Sequence, residues 1–189
     1  ADRFAPSAKV AHVDLDPAEI GKNVPSDWSL VGPSHVVLKH VQDSLAGWGK
    51  AGAEWLRTLE GWKEEDAARL ALESLGFSPR RILAAIRSAM GDRALVTTDV
   101  GQHQMWAAQH FESCGPRSFI SSAGLGTMGF GLPAAIGAAF AAPGRPLACL
   151  TGDGSFLMNI QELDTCARYA IPVKIFLFNN GSLGMVRQW

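Results

Sequence analysis

The chain has 189 residues, of which 47% are hydrophobic and 19% are charged, a composition that suits a globular protein with a buried core in one or two domains. Its 17 basic and 18 acidic residues leave a net charge of −1, which argues against nucleic acid or a membrane surface as a partner and favours a small molecule. The three cysteines show no CxxC spacing, which argues against a disulfide framework or a zinc site and favours a cytoplasmic protein.

Residues 1–48 are predicted to be the end of an α/β domain. The pattern predicts a strand in Lys9–Asp16, a turn at Pro17, a second short apolar run, and a helix with Ser34 as its N-cap. Residues 49–76 are charged and rich in tryptophan, and we interpret them as a helical linker. Because the chain begins without a methionine and stops directly after a motif, we expect a fragment of a longer protein.

A second domain is predicted from residue 77 to residue 189, where the pattern becomes regular. Ser78 and Pro79 favour a helix start, as N-cap and first helical residue, and Gly91 marks the helix end. Strands are then predicted to end at four positions, with helical segments between most of them: Asp99, Ser121, Thr151 and Phe178. This alternation predicts an α/β fold, a parallel sheet with helices on both faces and ligands at the carboxyl ends of its strands. We expect the fold to be incomplete at both ends.

Four polar or glycine-rich loops follow these strands: Asp99–His103, Gly124–Gly131, Gly152–Ser155 and Asn179–Met185. In a parallel sheet they share one edge, so together they predict a ligand site. The second loop contains a GxGxxG pattern, which also occurs in dinucleotide-binding folds of the Rossmann type. Two features argue against that alternative. The glycines around Asp153 favour a phosphate nest, and the Rossmann interpretation gives the Asn179-Asn180 pair no role.

Asp153 and Asn180 are predicted to hold a divalent cation. The 27 residues between them cover one turn, one helix and one strand, the length that returns a chain to an adjacent parallel strand. Mg²⁺ prefers oxygen ligands and takes only one or two carboxylates when a phosphate supplies the rest. A carboxylate and a neutral amide therefore suit a cation that bridges a diphosphate.

These motifs resemble those of a known enzyme family. Gly152-Asp153-Gly154 followed by Asn179-Asn180 resembles the thiamin diphosphate motif of the decarboxylase and carboligase superfamily. More narrowly, four stretches resemble the large catalytic subunit of acetolactate (acetohydroxyacid) synthase: Thr97–Phe111, Ser121–Ala141, Gly152–Leu163 and Asn179–Trp189. Ala11–Asn23 resembles the end of that family's central domain.

The resemblance implies a role for each matching position. The residues implied in thiamin diphosphate binding are Gly101, Gln102, His103, Gly126, Met128, Gly154 and Ser155. Met128 matches the bulky residue that bends the cofactor. Mg²⁺ would be bound by Asp153, Asn180 and the backbone carbonyl of Ser182. The implied substrate wall consists of Met185, Val186 and Trp189, and Trp189 would favour 2-ketobutyrate as second substrate. Asp14 matches a contact to FAD.

The implied activity is the decarboxylation of pyruvate and its carboligation to a second 2-oxo acid, on the route to branched-chain amino acids. In this family the essential glutamate comes from an amino-terminal domain of a partner subunit, so we expect no catalytic residue in this chain and no activity of the fragment alone. The family implies a homodimer or tetramer of catalytic subunits and a possible small regulatory subunit. Two alternatives stay open: another thiamin diphosphate-dependent 2-oxo acid decarboxylase or carboligase, and a non-catalytic Rossmann-type nucleotide-binding module.

Overall fold

The computed structural model describes residues 5–48, 52–73, 78–113 and 115–188. The chain divides into two compact units, Ala1–Glu64 and Glu65–Trp189. The division falls within a long helix that occupies most of the expected linker. The domain boundaries expected from the sequence, at residues 48 and 76, stay predictions.

The first unit contains a two-stranded parallel sheet. Strand β1 (Ala11–Asp14) pairs with β2 (Trp28–Val31), and helix α1 (Ser34–Ser44) follows. The long helix α2 (Ala53–Glu73) begins in this unit. The expectation that Ser34 is the N-cap is wrong. Pro33 is the N-cap, and no side chain caps the helix, because Ser34 itself is already the first helical residue.

The second unit contains a four-stranded sheet in which every neighbouring pair is parallel. Its strands run in the order β4-β3-β5-β6, with the bounds β3 (Leu95–Thr98), β4 (Phe119–Ser121), β5 (Leu147–Gly152) and β6 (Lys174–Phe178). Each strand ends within one residue of its expected end. The expected α/β fold with a parallel sheet is therefore confirmed.

Within the described part of the second unit, six further helices follow α2: α3 (Pro79–Met90), α4 (Gln102–His110), α5 (Gly131–Ala141), α6 (Asp153–Met158), α7 (Glu162–Arg168) and α8 (Gly184–Gln188). Helix α3 starts as expected, with the Ser78 side chain accepting from the Arg81 amide, and it ends at Gly91. No helix within the described ranges is long and apolar enough to cross a membrane.

The sheet is buried on both faces because successive residues of a strand point to opposite sides. On one face, Val96 and Leu150 pack with residues of α3 and α4, among them the fully buried Leu83. On the other face, Leu95 and Cys149 pack with residues of α5 and α7. The apolar runs of β3 and β5 follow from this double burial.

The strand order places a topological switch point at the centre of the sheet. From β3 the chain moves outward to β4 on one side, and it then returns to β5 and β6 on the other side. The connections at the carboxyl ends of β3 and β5 consequently diverge in opposite directions. Open α/β sheets bind ligands in the crevice that this divergence leaves.

Candidate functional site

A cavity of about 330 Å³ lies at the carboxyl edge of the four-stranded sheet. It is lined by the segments that follow β3, β4, β5 and β6. Twelve of the fourteen site residues named from the sequence line it: Gly101, Gln102, His103, Gly126, Met128, Asp153, Gly154, Ser155, Asn180, Ser182, Met185 and Val186. Convergent polar groups in a cavity of this size are typical of a small-molecule or cofactor site.

The segment after β5 presents Asp153 at the start of α6, with Gly152 as the N-cap. The Ser155 hydroxyl donates to the Val100 carbonyl at 2.8 Å, and Ser155 is almost fully buried. A Cβ atom on Gly154 would lie 2.9 Å from Cδ2 of Leu183. The absence of a side chain at Gly154 therefore lets the segment after β6 approach α6 closely.

Asn180 follows β6, the strand that pairs directly with β5, so the expected adjacency of the two strand ends is confirmed. The Asn180 Oδ1 atom accepts from the backbone amide of Ser182 at 3.1 Å and from the Ser182 hydroxyl at 3.3 Å. The Ser182 carbonyl accepts from the Gly184 amide at 2.9 Å. These contacts hold both oxygen atoms in one tight turn beside Asp153 in the cavity lining.

The oxygen donors in the lining suit a hard cation. One carboxylate (Asp153), one amide oxygen (Asn180) and one backbone carbonyl (Ser182) are oxygen ligands of the kind that Mg²⁺ prefers. Among the described residues, no group of three or more His, Cys, Asp and Glu side chains is placed to hold a metal ion. A cation in this cavity therefore depends on few protein charges and suits a ligand that brings its own oxygen atoms.

His103 lies under the cavity with only 5% of its surface exposed. Its ring stacks on Phe178, with the ring centres 6.3 Å apart. Burial lowers the pKa of His103, against the opposing charges of Asp99 and Asp153, so the imidazole is neutral at pH 7. Its Nε2 atom is buried and has no hydrogen-bond partner among the residues that the structure describes. A ligand phosphate oxygen would satisfy this nitrogen when Nε2 carries a proton and donates it.

Two glycines let His103 occupy this position. A Cβ atom on Gly101 would lie 2.8 Å from Cε1 of His103, and one on Gly152 would lie 3.0 Å from the same atom. Gly101 also has a φ of 155°, which residues with a side chain rarely adopt. The strand ends of β3 and β5 thus approach the imidazole more closely than any other residue type would allow.

Comparison with known proteins agrees with this geometry. Residues 99–189, which contain every segment lining the cavity, match the family described as thiamine pyrophosphate enzyme, C-terminal TPP binding domain. The chain is 50% identical to the acetolactate synthase large subunit of Parasynechococcus marenigrum, over 100% of its own length and 30% of that protein. The chain belongs to the acetolactate synthase large-subunit family of thiamin diphosphate (thiamine pyrophosphate) enzymes.

Other relatives show the same pattern. The chain is 43% identical to a probable acetolactate synthase large subunit of Methanococcus aeolicus, over 98% of the chain and 34% of that protein. It is 46% identical to an acetolactate synthase of Mycobacterium bovis, over 100% of the chain and 31% of that protein. The chain therefore spans about a third of the length of the relatives that it matches.

Two of the sequence-derived site residues have roles that the cavity does not test. Asp14 belongs to the first unit, at the end of β1, where its Oδ1 atom accepts from the Asp16 amide at 2.9 Å. Trp189 lies outside the described residues. The roles of both residues stay predictions.

Sequence reasoning missed part of the cavity lining. Val100, Trp106, Phe178, Leu183 and Gly184 also line it. All but Phe178 lie inside the recognised stretches, and Phe178 directly precedes one, so position within a motif was the available signal. The apolar side chains of Val100, Trp106, Phe178 and Leu183 lower the polarity of the cavity wall, which strengthens electrostatic interactions inside it.

Sequence reasoning also missed what the Gln102 side chain does. Its Oε1 atom accepts from the Asn180 amide group at 3.1 Å, and its Nε2 atom donates to Oε1 of Gln188 at 3.1 Å. Gln102 thus connects the first turn of α4 with the turn that contains Asn180 and with α8, which carries Met185 and Val186. The sequence offered no signal for this link, because the partners lie 78 and 86 residues away.

Proposed function

We propose that this chain holds the diphosphate of thiamin diphosphate, through Mg²⁺, in an acetolactate synthase large subunit. The whole enzyme would decarboxylate pyruvate and join the two-carbon unit to a second 2-oxo acid, in branched-chain amino acid biosynthesis. The observation that carries the proposal is the convergence of twelve motif residues from four strand ends on one cavity. The relatives named acetolactate synthase support the choice of this reaction within the larger superfamily.

The cation site follows from the donor atoms. Asp153 would supply the anionic oxygen, and Asn180 and the Ser182 carbonyl would supply neutral ones. In the structure the Asn180 Oδ1 atom accepts from the Ser182 amide at 3.1 Å and from the Ser182 hydroxyl at 3.3 Å, so a cation would take the place of the longer hydroxyl bond. A neutral amide beside a diphosphate avoids bringing a further carboxylate close to the phosphate charge.

The remaining cavity residues bind and orient. Thiamin diphosphate, when bound, supplies the carbanion-stabilising chemistry that no side chain provides. His103 would offer its unpaired Nε2 atom to a phosphate oxygen. Met128 and Leu183 approach the cavity from the segments after β4 and β6, and their apolar side chains would exclude water from the bound cofactor. Met185 and Val186 would contact the 2-oxo acid.

Association with further subunits and with FAD is part of the proposal. Several large apolar side chains of the second unit are mostly exposed, among them Leu125, Leu157 and Met158, and such patches support contact with another protein surface. We place the enzyme in the cytoplasm as a homodimer or tetramer with a possible small regulatory subunit. Asp14 would contact FAD, and a partner subunit would supply the essential glutamate.

The test is calorimetric titration of the chain with thiamin diphosphate or NAD⁺, each with and without Mg²⁺. Wild type should bind thiamin diphosphate only when Mg²⁺ is present. Asp153→Ala should abolish that binding, whereas Asn180→Asp should weaken it less because an oxygen ligand remains. Asp164→Ala is the matched control, because that carboxylate is exposed on α7 and pairs with Arg168.

Two results would contradict the proposal. If Asp153→Ala bound Mg²⁺ and thiamin diphosphate as tightly as the wild type does, the assignment of Asp153 as a cation ligand would be wrong. Binding of NAD⁺ in place of thiamin diphosphate would favour the Rossmann-type alternative. The glycine loop itself argues against that alternative, because the amides of Gly129 and Gly131 already donate to Asp99 and are not free to bind a ligand diphosphate.

The chain by itself should produce no acetolactate, even with thiamin diphosphate, Mg²⁺ and FAD supplied, because the essential glutamate is expected on another polypeptide segment. A colorimetric acetolactate assay on the purified chain measures this. Product above the no-enzyme control that disappears in Asp153→Ala would show that the essential acid lies within these residues.

A further inference from the structure

Asp99 is the most completely buried acidic side chain near the cavity, with 1% of its surface exposed. It follows β3 directly, and its own amide donates to the Leu150 carbonyl of β5 at 2.8 Å. Its position is therefore fixed by the centre of the sheet. A buried carboxylate is costly unless its oxygen atoms receive hydrogen bonds, so its partners indicate what this charge does.

Both oxygen atoms of Asp99 accept backbone hydrogen bonds. The Oδ1 atom accepts from the amides of Val100 and Gly129, each at 2.8 Å. The Oδ2 atom accepts from the amide of Gly131 at 3.0 Å. Hydrogen bonds to a charged acceptor are about twice as strong as neutral ones. Two of these three bonds reach the segment between β4 and α5, 30 and 32 residues further along the chain.

That segment carries the two cavity residues Gly126 and Met128. Near its start, the Ser122 carbonyl accepts from the Gly126 amide at 3.0 Å. At its end, Asp99 holds the amides of Gly129 and Gly131, and the Asn159 side chain donates to the Gly129 carbonyl at 2.7 Å. Met128 therefore stands one residue before the main attachment point of its loop.

The approach of this loop to Asp99 is close. A Cβ atom on Gly131 would lie 2.9 Å from the Asp99 amide nitrogen and 3.1 Å from the Asp99 Cβ atom. The Thr97 hydroxyl also donates to the Gly131 carbonyl at 2.9 Å. The start of α5 is thus held against the end of β3, and Asp99 provides the only charge among these contacts.

We propose that Asp99 is a positioning residue that fixes the Met128 loop against the cavity, and so sets how the thiazolium and pyrimidine part of the cofactor is held. The hydrogen bonds that the Asp99 carboxylate accepts come from Val100, Gly129 and Gly131 and not from Asp153 or Asn180, so we expect the diphosphate end to depend on Asp99 far less than the loop does. This inference rests on the proposed function for the identity of the ligand. The attachment of the loop to Asp99 does not rest on it.

The test variant is Asp99→Asn, which keeps the shape of the side chain. It replaces one acceptor oxygen by an amide group that donates, so a backbone N–H in the cavity wall loses its acceptor. The control is Thr98→Val, also isosteric and fully buried in β3. It removes a 2.7 Å hydrogen bond to the Ser121 hydroxyl and leaves the glycine loop untouched.

The first measurement is amide hydrogen exchange by NMR on the chain. In wild type, the Gly129 and Gly131 amides should be protected as strongly as those of β5. In Asp99→Asn, exchange at one or both glycines should accelerate roughly tenfold to a hundredfold relative to β5, as expected for loss of a charge-assisted bond. Thr98→Val should accelerate loop and strand amides by the same factor.

The second measurement compares two ligands in the presence of Mg²⁺, thiamin diphosphate and inorganic pyrophosphate. Asp99→Asn should weaken thiamin diphosphate binding by about tenfold or more, with pyrophosphate binding within about twofold of wild type. Thr98→Val should change neither affinity selectively. The ratio of the two affinities separates positioning of the loop from a general loss of stability.

Fast exchange of Gly129 and Gly131 in the wild-type chain would overturn the inference, even if Asp99→Asn cannot be purified folded. Unchanged glycine exchange in a folded Asp99→Asn, or equal weakening of both ligands, would overturn it too. If the wild type binds neither ligand, the proposed function fails. The amide hydrogen-exchange measurement still decides whether Asp99 holds the loop.

Discussion

Gly101 offers a sharp test of the cavity geometry. The substitution Gly101→Ala would place a methyl group 2.8 Å from Cε1 and 2.9 Å from Nδ1 of His103. The imidazole cannot move aside, because only 5% of the surface of His103 is exposed and the ring packs on Phe178. The φ of 155° adds backbone strain. We therefore expect both costs in one variant.

The expected loss of unfolding free energy follows from adding these costs. Overpacking of a tight interior costs about 1 to 3 kcal/mol, and a sparsely populated backbone conformation costs another 1 to 3 kcal/mol or so. Replacing glycine also lowers the conformational entropy of the unfolded chain, which stabilises the folded state by about 0.4 to 1 kcal/mol. The net destabilisation should be roughly 1 to 5.5 kcal/mol.

Urea denaturation followed by circular dichroism, without ligand, measures this loss, and two other glycines provide controls. Gly144 has a φ of 76° with nothing within 4 Å of an added Cβ, so Gly144→Ala should lose only about 1 to 2 kcal/mol. Gly137 lies exposed within α5 with open space around it, so Gly137→Ala should gain about 0.5 to 1 kcal/mol. If Gly101→Ala costs no more than Gly144→Ala, the close approach to His103 is wrong.

Three further predictions concern the core, a buried thiol and the acceptor substrate. Burial raises the pKa of Cys149 from 9.0 to about 12. Folding therefore favours the protonated thiol, and the free energy of unfolding should fall as the pH rises from about 9 to about 12. In urea titrations Cys149→Ala should lack this part of the pH-dependent fall in unfolding free energy. An identical fall in the wild type and in Cys149→Ala would contradict the prediction. Leu83 is fully buried, so Leu83→Ala should lose about 2 to 5 kcal/mol, whereas Leu157→Ala on the exposed surface should stay within about 0.5 kcal/mol of wild type; similar losses would refute the assignment of the core. In the whole enzyme, Trp189→Leu should reduce the preference for 2-ketobutyrate over pyruvate about tenfold, since one methylene in an apolar pocket is worth about 1 to 3 kcal/mol. An unchanged product ratio in a competition assay would remove Trp189 from the pocket.

The sequence by itself determined the strands, their parallel pairing and the side of the sheet that carries the site. These features depend on local or periodic signals. The runs ending near Asp99 and Thr151 are apolar because both faces of the sheet are covered at its two central strands. The 27-residue interval between Asp153 and Asn180 could predict adjacent strands, because a helical crossover has a characteristic length.

The wrong N-cap prediction at Ser34 shows that the local sequence pattern locates a helix start but does not fix its first residue. Pro33 and Ser34 both suit a helix start, and the sequence does not decide which of them is the cap. The structure places Pro33 outside the helix, with a ψ of 123°. A shift by one residue changes no packing face but removes the expected cap.

Only the tertiary structure decided how the polar side chains of the cavity are used. Gln102 appeared in the sequence as a ligand contact, and its side chain bonds Asn180 and Gln188. His103 has a buried, unpaired Nε2 atom because Gly101 and Gly152 let the strand ends close over it. Asp99 appeared only as the first residue of a loop motif, without a role of its own, and it holds a loop 30 residues away. A hydrogen bond between a side chain and a distant loop amide leaves no periodic pattern and no fixed spacing in the sequence. It can be recognised only when the strands have brought both groups to the same edge of the sheet.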